Sequence, residues 1–190
     1  MRELKYYVAC SVDGFIAGLD GSIDFALPEG DYYADLLARF PETIPTHRRD
    51  AFGVYGANRC FDTVLMGNRT YRVGLDAGFS NPYAHLKQYL FSRTVRSSPD
   101  ENVQLVSEDA REFVRRLKQE DGKDIWLCGG ANLAAALLPE IDELILKVNP
   151  VLLGSGIPIF STAVKQTSLS LEESKQYPNG FVLSRYRLKR

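Results

Sequence analysis

The order of apolar runs and turn signals predicts an α/β chain. It would have a mixed, mostly parallel central sheet, flanking helices and an antiparallel hairpin at the C-terminus. Three observations carry this. Short apolar runs rich in β-branched and aromatic residues alternate with stretches of helical periodicity. Two of those runs pass straight into glycine and then a helix start, at Gly67 and at Gly129-Gly130. Residues 166–188 hold two strand-like runs around Pro178-Asn179-Gly180, which is a hairpin signal. The alternation favours parallel neighbours and the hairpin supplies an antiparallel edge.

Residues 4–10 are an aromatic and β-branched run that predicts a central strand. Residues 11–14 turn, Phe15, Ile16 and Ala17 resume extended structure, and residues 19–22 turn again. The stretch 11–24 therefore reads as a mobile loop beside the end of the first strand. Two roles stand open for Asp13 and Gly14: plain turn chemistry, or covering a ligand. Residues 26–60 predict a helical insertion. Leu27 and Pro28 open it, Asp31 is a candidate N-cap, and Tyr32, Leu36, Leu37 and Phe40 make an apolar stripe. Pro41 and Pro45 interrupt it, and a second helix is expected over about 47–58. Its solvated face would carry Arg48, Arg49 and Asp50, with Phe52, Val54 and Tyr55 facing inward.

Residues 61–66 read as a buried strand that meets Gly67, and a short helix begins at Asn68. Residues 74–84 read as loop and 88–91 as a third buried strand, ending in Ser92, Arg93 and Thr94. A strand over 103–106 follows, and Asp109 with Glu112 forms a capping pair for a helix over 110–119. The run 125–128 is a buried strand, the two glycines break it, and residues 131–138, with four alanines and three leucines, predict a helix. A strand over 141–148 puts Leu144, Leu146 and Val148 on one face and Ile145 with Lys147 on the other. Residues 150–158 are an irregular Gly/Pro loop.

At 190 residues the chain is read as one domain, 1–190, large enough to bury a sizeable core. A net charge of -1 excludes a general nucleic-acid or membrane-surface binder, so any anion site must be local. Cys10, Cys60 and Cys128 are widely spaced and odd in number, which fits thiols in a reducing compartment. His47 and His85 stand in no metal-ligand spacing, so no metal is expected. The N-terminus runs directly into a strand, and no apolar stretch approaches the roughly 20 residues a membrane span needs. A cytoplasmic protein is expected.

Function is read from the strand ends. Glycine between a buried strand and a helix leaves backbone N–H groups bare at the positive end of a helix dipole, where a phosphate can approach. Gly67 with Asn68, Arg69 and Thr70 is one such turn, and Gly129 and Gly130 leading into Ala131, Asn132 and Leu133 is another. Ser92 and Arg93 end a third strand; a guanidinium there is either a solvated surface group or a clamp for a phosphate monoester. Lys147 is either a snorkelling edge lysine or a ligand-facing cation.

The succession of these pieces resembles the dihydrofolate reductase-like superfamily. It comes nearest to the reductase domain of the bifunctional riboflavin-biosynthesis deaminase-reductase and its stand-alone relatives. The matching stretches are 11–17, 64–71, 91–94, 125–132, 142–144 and 150–160, almost end to end. The resemblance implies a three-layer fold, and NADPH as cofactor. Backbone around Ala9 and Ile16 would meet the nicotinamide amide. Residues 67–70 and 130–132 would hold the pyrophosphate, and Ser92 and Arg93 the 2′-phosphate. The family pattern has arginine where Asn68 stands, which leaves Arg69 as the neighbouring donor. The activity implied is hydride transfer to a small heterocyclic substrate, as in 5-amino-6-(5-phosphoribosylamino)uracil reductase, by a homodimer with the hairpin near its interface. Arg48, Arg49, Arg72 and Lys147 are the candidate partners for a substrate phosphate. Dihydrofolate reduction is a second possibility. It would call on a carboxylate at the start of the helix after the first loop, where Glu29 and Asp31 flank Gly30; for Asp31 the competing role is helix capping. A nucleotide-binding module without turnover is a third.

Overall fold

The computed structural model describes residues 1–26, 30–161 and 164–189. Leu27, Pro28 and Glu29, named above for the helix opening and the carboxylate pair, lie outside the described residues. In chain order the strands are β1 (Leu4–Ser11), β2 (Phe15–Ala17), β3 (Phe61–Gly67), β4 (Lys87–Phe91), β5 (Val103–Val106), β6 (Asp124–Gly129), β7 (Glu143–Asn149), β8 (Ile157–Pro158), β9 (Leu169–Gln176) and β10 (Val182–Leu188). The helices are α1 (Asp31–Arg39), α2 (Asn68–Asp76), α3 (Ala110–Leu117) and α4 (Ala131–Leu137).

Eight strands form one sheet in the order β5-β4-β3-β6-β1-β7-β10-β9. From β5 to β7 every pairing is parallel, and β10 runs antiparallel to both β7 and β9. The predicted class holds: a mostly parallel sheet finished by a hairpin. β2 and β8 pair separately as a small antiparallel ribbon. Alternate side chains leave the sheet on opposite faces and make two cores. On one face Tyr7, Val64, Met66, Trp126 and Ile145 pack with Tyr32, Leu36 and Phe40 around α1 and with Tyr71 of α2. On the other, Tyr6, Val8, Leu65 and Leu127 pack with Val114 and Leu117 of α3 and with Leu133, Ala134 and Leu137 of α4. The chain is therefore a three-layer sandwich.

Charge and hydrogen bonds lock the layers. The Asp109 carboxylate accepts from the Arg111 and Glu112 N–H groups, capping α3 as expected. Asp35 of α1 pairs with Arg39 (3.1 Å) and Lys175 (3.2 Å) and accepts from the Tyr177 hydroxyl (2.5 Å), which ties α1 to the hairpin. In the hairpin turn, Gly180 takes φ 85° and its N–H donates to the Tyr177 carbonyl.

Four expectations need correction. The second helix over 47–58 does not form; short 3₁₀ turns at Pro41–Thr43, Thr46–Arg48 and Asp50–Phe52 take its place. Gly53 turns left-handed at φ 63°, and the Arg49 guanidinium donates to the carbonyls of Pro41 and Gly56, so a side chain supplies hydrogen bonds that a helix would have made internally. Tyr55 is correspondingly exposed, although Val54 is buried. Gly30, not Asp31, occupies the N-cap of α1, and Asp31 is the first residue inside the helix. Residues 74–76, read as loop, continue α2. The segment 11–24, read as a mobile loop, is held by the β2–β8 pairing and by hydrogen bonds from the Val12 N–H to the Val151 carbonyl and from the Gly18 N–H to the Ser22 carbonyl.

Candidate active site

The parallel strands β4, β3, β6, β1 and β7 all end at one rim, so Phe91, Gly67, Gly129, Ser11 and Asn149 form a row of carboxyl-terminal ends. β3 and β6 are neighbours in that row, with Met66 opposite Gly129. After β3 the chain turns to the α1/α2 face, and after β6 it turns to the α3/α4 face. Helices leaving two adjacent strands on opposite sides open a crevice between them, the place where ligands enter open parallel sheets.

Bare backbone lines that crevice. Gly67 caps α2 and Gly130 caps α4, and neither helix has a side-chain cap. A Cβ added at Gly67 would come to 3.6 Å from both the Gly129 carbonyl oxygen and the Gly130 nitrogen, so the two turns lie against each other. Thr70 completes the contact: its hydroxyl is 3.3 Å from where a Gly129 Cβ would stand and 3.5 Å from the Gly130 one. Gly129 takes φ 148°, a backbone that L side chains rarely adopt, and the peptide joining it to Gly130 is cis. Two helix N-termini without a side-chain cap thus face one gap. Ala131 and Leu133 are buried at this turn, while Asn132 and Arg69 are exposed and Asn68 is half-buried.

One strand further along, Ser92 is buried and Arg93 exposed. The Ser92 hydroxyl accepts from the Thr94 (3.3 Å) and Val95 (3.1 Å) N–H groups, so it orders the turn that presents Arg93. On the other side of the crevice, Asp13 answers one open question. Its carboxylate accepts from the Ser11 hydroxyl (2.6 Å) and from the Leu153 (3.2 Å) and Gly154 (2.7 Å) N–H groups, bonds that hold its pKa down. Asp13 therefore latches the loop after β1 to the loop after β7. Ile16 of β2 packs against the α3/α4 core, and Gly156 lies so close to the Ala17 carbonyl that a Cβ there would overlap it at 2.3 Å.

Lys147 sits on β7 directly across from Ala9 on β1. Its ammonium rests 4.1 Å from the centroid of the Tyr7 ring. It opens partly to solvent, yet protein surrounds it closely enough that burial lowers its pKa to about 8 from the usual 10.5. Beside it, burial pushes the Cys128 thiol up to about 12, and Tyr83 is in hydrogen-bond contact with that thiol. The other named candidates lie apart from this group. Asp31 is exposed, Arg49 is committed to backbone carbonyls, Arg48 stands over the Phe52 ring at 4.9 Å, and Arg72 is exposed on α2. Tyr7, Cys128 and Tyr83 were not singled out from the sequence, because only strand register brings them beside Lys147.

Comparison with known proteins adds the family. A model described as the RibD C-terminal domain matches residues 2–183. The chain belongs to that family. Within reach of it are two proteins of Bacillus subtilis (strain 168). The uncharacterised protein YwjB is 38% identical over 182 residues, covering 93% of this chain and 92% of its own. The uncharacterised protein YyaP is 29% identical over 188 residues, covering 95% and 92%. Among solved structures, a protein of Shewanella sp. PV-4 assigned to riboflavin biosynthesis superposes with a TM-score of 0.73 at 22% identity, covering all of both chains. A pyrimidine reductase-like protein of Corynebacterium diphtheriae gives 0.66 at 16% identity, over 100% of this chain and 92% of that one. A diaminohydroxyphosphoribosylaminopyrimidine deaminase/5-amino-6-(5-phosphoribosylamino)uracil reductase of Thermotoga maritima gives 0.66 at 13% identity and matches 57% of its chain. These structural likenesses establish the RibD C-terminal, dihydrofolate reductase-like fold. Among the described residues no helix is long and apolar enough to cross a membrane, and no group of three or more His, Cys, Asp or Glu side chains could hold a metal ion.

Proposed function

We propose that this chain is an NADPH-dependent reductase of a small heterocyclic compound, with a substrate of the phosphoribosylamino-pyrimidine type that the Thermotoga relative's name specifies. The observation that carries the reading is the crevice between β3 and β6. There, two uncapped helix N-termini and three glycines leave a cradle that a Cβ at Gly67 or Gly130 would begin to fill. The residues present fit a dinucleotide. The N–H groups of 67–70 and 130–133 would hold its pyrophosphate, and backbone near Ala9 and Ile16 its nicotinamide amide. Arg93, on the turn that Ser92 orders, would hold the 2′-phosphate through a planar, charge-assisted fork. When bound, the reduced nicotinamide supplies a hydride; the protein's own work is to orient the two rings and exclude water. The carboxylate that dihydrofolate reduction would call on at Asp31 is exposed, so no observation favours that activity.

The reading includes a homodimer with the C-terminal hairpin at its interface. Support comes from β9, a sheet edge on which Leu169 and Leu171 are exposed. Sedimentation at micromolar concentration tests it: a monomer rejects the dimer without touching the cofactor assignment.

Cofactor choice is tested at Arg93. Arg93→Ala should weaken NADPH binding by roughly 10- to 100-fold, the loss of a charge-assisted bond, and leave NADH binding unchanged. Equal losses for the two cofactors would reject the 2′-phosphate role.

A further inference from the structure

The reductase reading leaves one requirement open, the source of the proton that must reach the substrate. Lys147 is the sheltered cation with no structural task to explain it. The contrast with the molecule's other sheltered lysines is direct. Lys5 pairs with Glu3, Asp124 and Glu143 at 2.9–3.4 Å. Lys118 pairs with Asp142 at 2.5 Å and donates to the Glu140 carbonyl. Both lie away from the ligand rim, toward the amino-terminal ends of the strands. The Lys147 ammonium has no hydrogen bond or ion pair among the described residues and rests on the face of Tyr7. Holding an ammonium in such a place is costly, and a fold without use for it would replace it with an apolar side chain.

Position supplies the use. Lys147 points from β7 beside Ala9, on the face of the sheet that α1 covers, with β1 between it and β6, where the glycine crevice begins. The groups around it are neutral near pH 7. They are the Tyr7 phenol and the Cys10 thiol from β1, the Cys128 thiol from β6, and Tyr83, which contacts Cys128; β10 offers Leu183 across the strand pair. Among the described residues no carboxylate lies close enough to fix the ammonium in its charged state.

We propose, on the basis of the reductase reading, that Lys147 is the acid that protonates the substrate. As the substrate's C=N or C=O carbon accepts a hydride from reduced nicotinamide, the π bond breaks toward the heteroatom. That atom takes the proton leaving the Lys147 ammonium and becomes N–H or O–H. Lys147 is left as a neutral amine and regains a proton from water at the open side of the rim. A pKa near 8 suits this, because a general acid works best when its pKa lies close to the working pH.

Competitive acetylation of the ligand-free protein, from about pH 6 to 11 and read on the Lys147 peptide by mass spectrometry, tests the side chain apart from turnover. We expect an accessible amine titrating near 8; an unlabelled lysine, or one titrating above about 10, overturns the proposal. Wild type, Lys147→Met and Lys147→Arg are then titrated with NADPH by fluorescence and mixed in single turnover with 5-amino-6-(5-phosphoribosylamino)uracil. All three should bind NADPH alike, while the Met variant slows hydride transfer by roughly 10²–10⁴-fold. The Arg variant keeps its charge but holds its proton, so it should be slowed like the Met variant; an Arg variant near the wild-type rate would assign the role to charge alone and overturn the proposal. A Met variant as fast as wild type overturns the proposal. A wild type that fails to bind NADPH rejects the reductase reading instead. One that binds NADPH but leaves this pyrimidine unreduced rejects the pyrimidine, and the acetylation result then decides the case for Lys147.

Discussion

The Lys147 ammonium carries a thermodynamic signature that needs no substrate. Its pKa is about 8 in the fold against 10.5 in the open chain, so between those values the folded state gives up its proton first. Below pH 8 the fold bears the full cost of the buried charge; that cost is relieved as pH rises toward 10.5. Lys147→Met should therefore raise unfolding free energy at pH 7 by about 2–3 kcal/mol, with the gain shrinking through the alkaline window. Denaturant unfolding of both proteins at neutral and alkaline pH measures this, and a destabilised Met variant would contradict it. At this scale the sequence showed residue types and little of their company. Gly67, Gly129, Gly130 and Arg93 could be singled out because glycine and arginine at strand ends have a local physical meaning. Lys147 could be placed on the correct face of its strand, but Tyr7 beneath it follows from a β1–β7 register that no local pattern encodes. The same holds for the Asp13 latch, whose donors, the Leu153 and Gly154 N–H groups, lie about 140 residues away.

Among the elements, the two glycine turns make different predictions. At Gly129 the φ of 148° makes any side chain strained, so Gly129→Ala should cost about 1–3 kcal/mol of stability. Gly130 has no positive φ, and an added Cβ would meet Thr70 at an ordinary 3.5 Å. Gly130→Ala should thus melt within a few degrees of wild type while losing NADPH affinity, because the methyl group occupies the phosphate approach. A variant that binds NADPH normally would contradict the crevice assignment. The segment after α1 shows how an element can be misread. The periodicity of 47–58 suggested a helix, but the segment is anchored from outside it. The fully buried Glu42 carboxylate accepts from the Arg59, Cys60 and Phe61 N–H groups at 2.6–3.1 Å. His85 bridges the same region, with its Nε2–H donating to the Glu42 carbonyl (2.8 Å) and its Nδ1 accepting from the Thr46 hydroxyl (3.1 Å). Burial holds the His85 pKa below 6.5, which favours the neutral ring that this arrangement accommodates. The unfolded chain then binds the extra proton as pH falls below 6.5, so stability should drop on acidification. His85→Gln should show a flatter acid limb in thermal melts; an unchanged limb would contradict the assignment.

Over the whole molecule, the alternation of strand and helix and the final hairpin were enough to give a mostly parallel sheet with an antiparallel edge, because each strand's burial and each glycine break is a local property. The strand order β5-β4-β3-β6-β1-β7-β10-β9 is not local, and it determines the chemistry. It makes β3 and β6 neighbours and sends their helices to opposite faces, and so turns two unremarkable glycine turns, 62 positions apart from Gly67 to Gly129, into one crevice. The same order sets Lys147 beside Ala9. Trp126, the only tryptophan, lies on β6 three positions before Gly129 and reports on this region. The NADPH crevice is tested by titrating the protein with NADPH while following Trp126 emission. Saturable quenching is expected, with weaker binding of NADH. A flat response to NADPH, or equal affinity for the two cofactors, would contradict it.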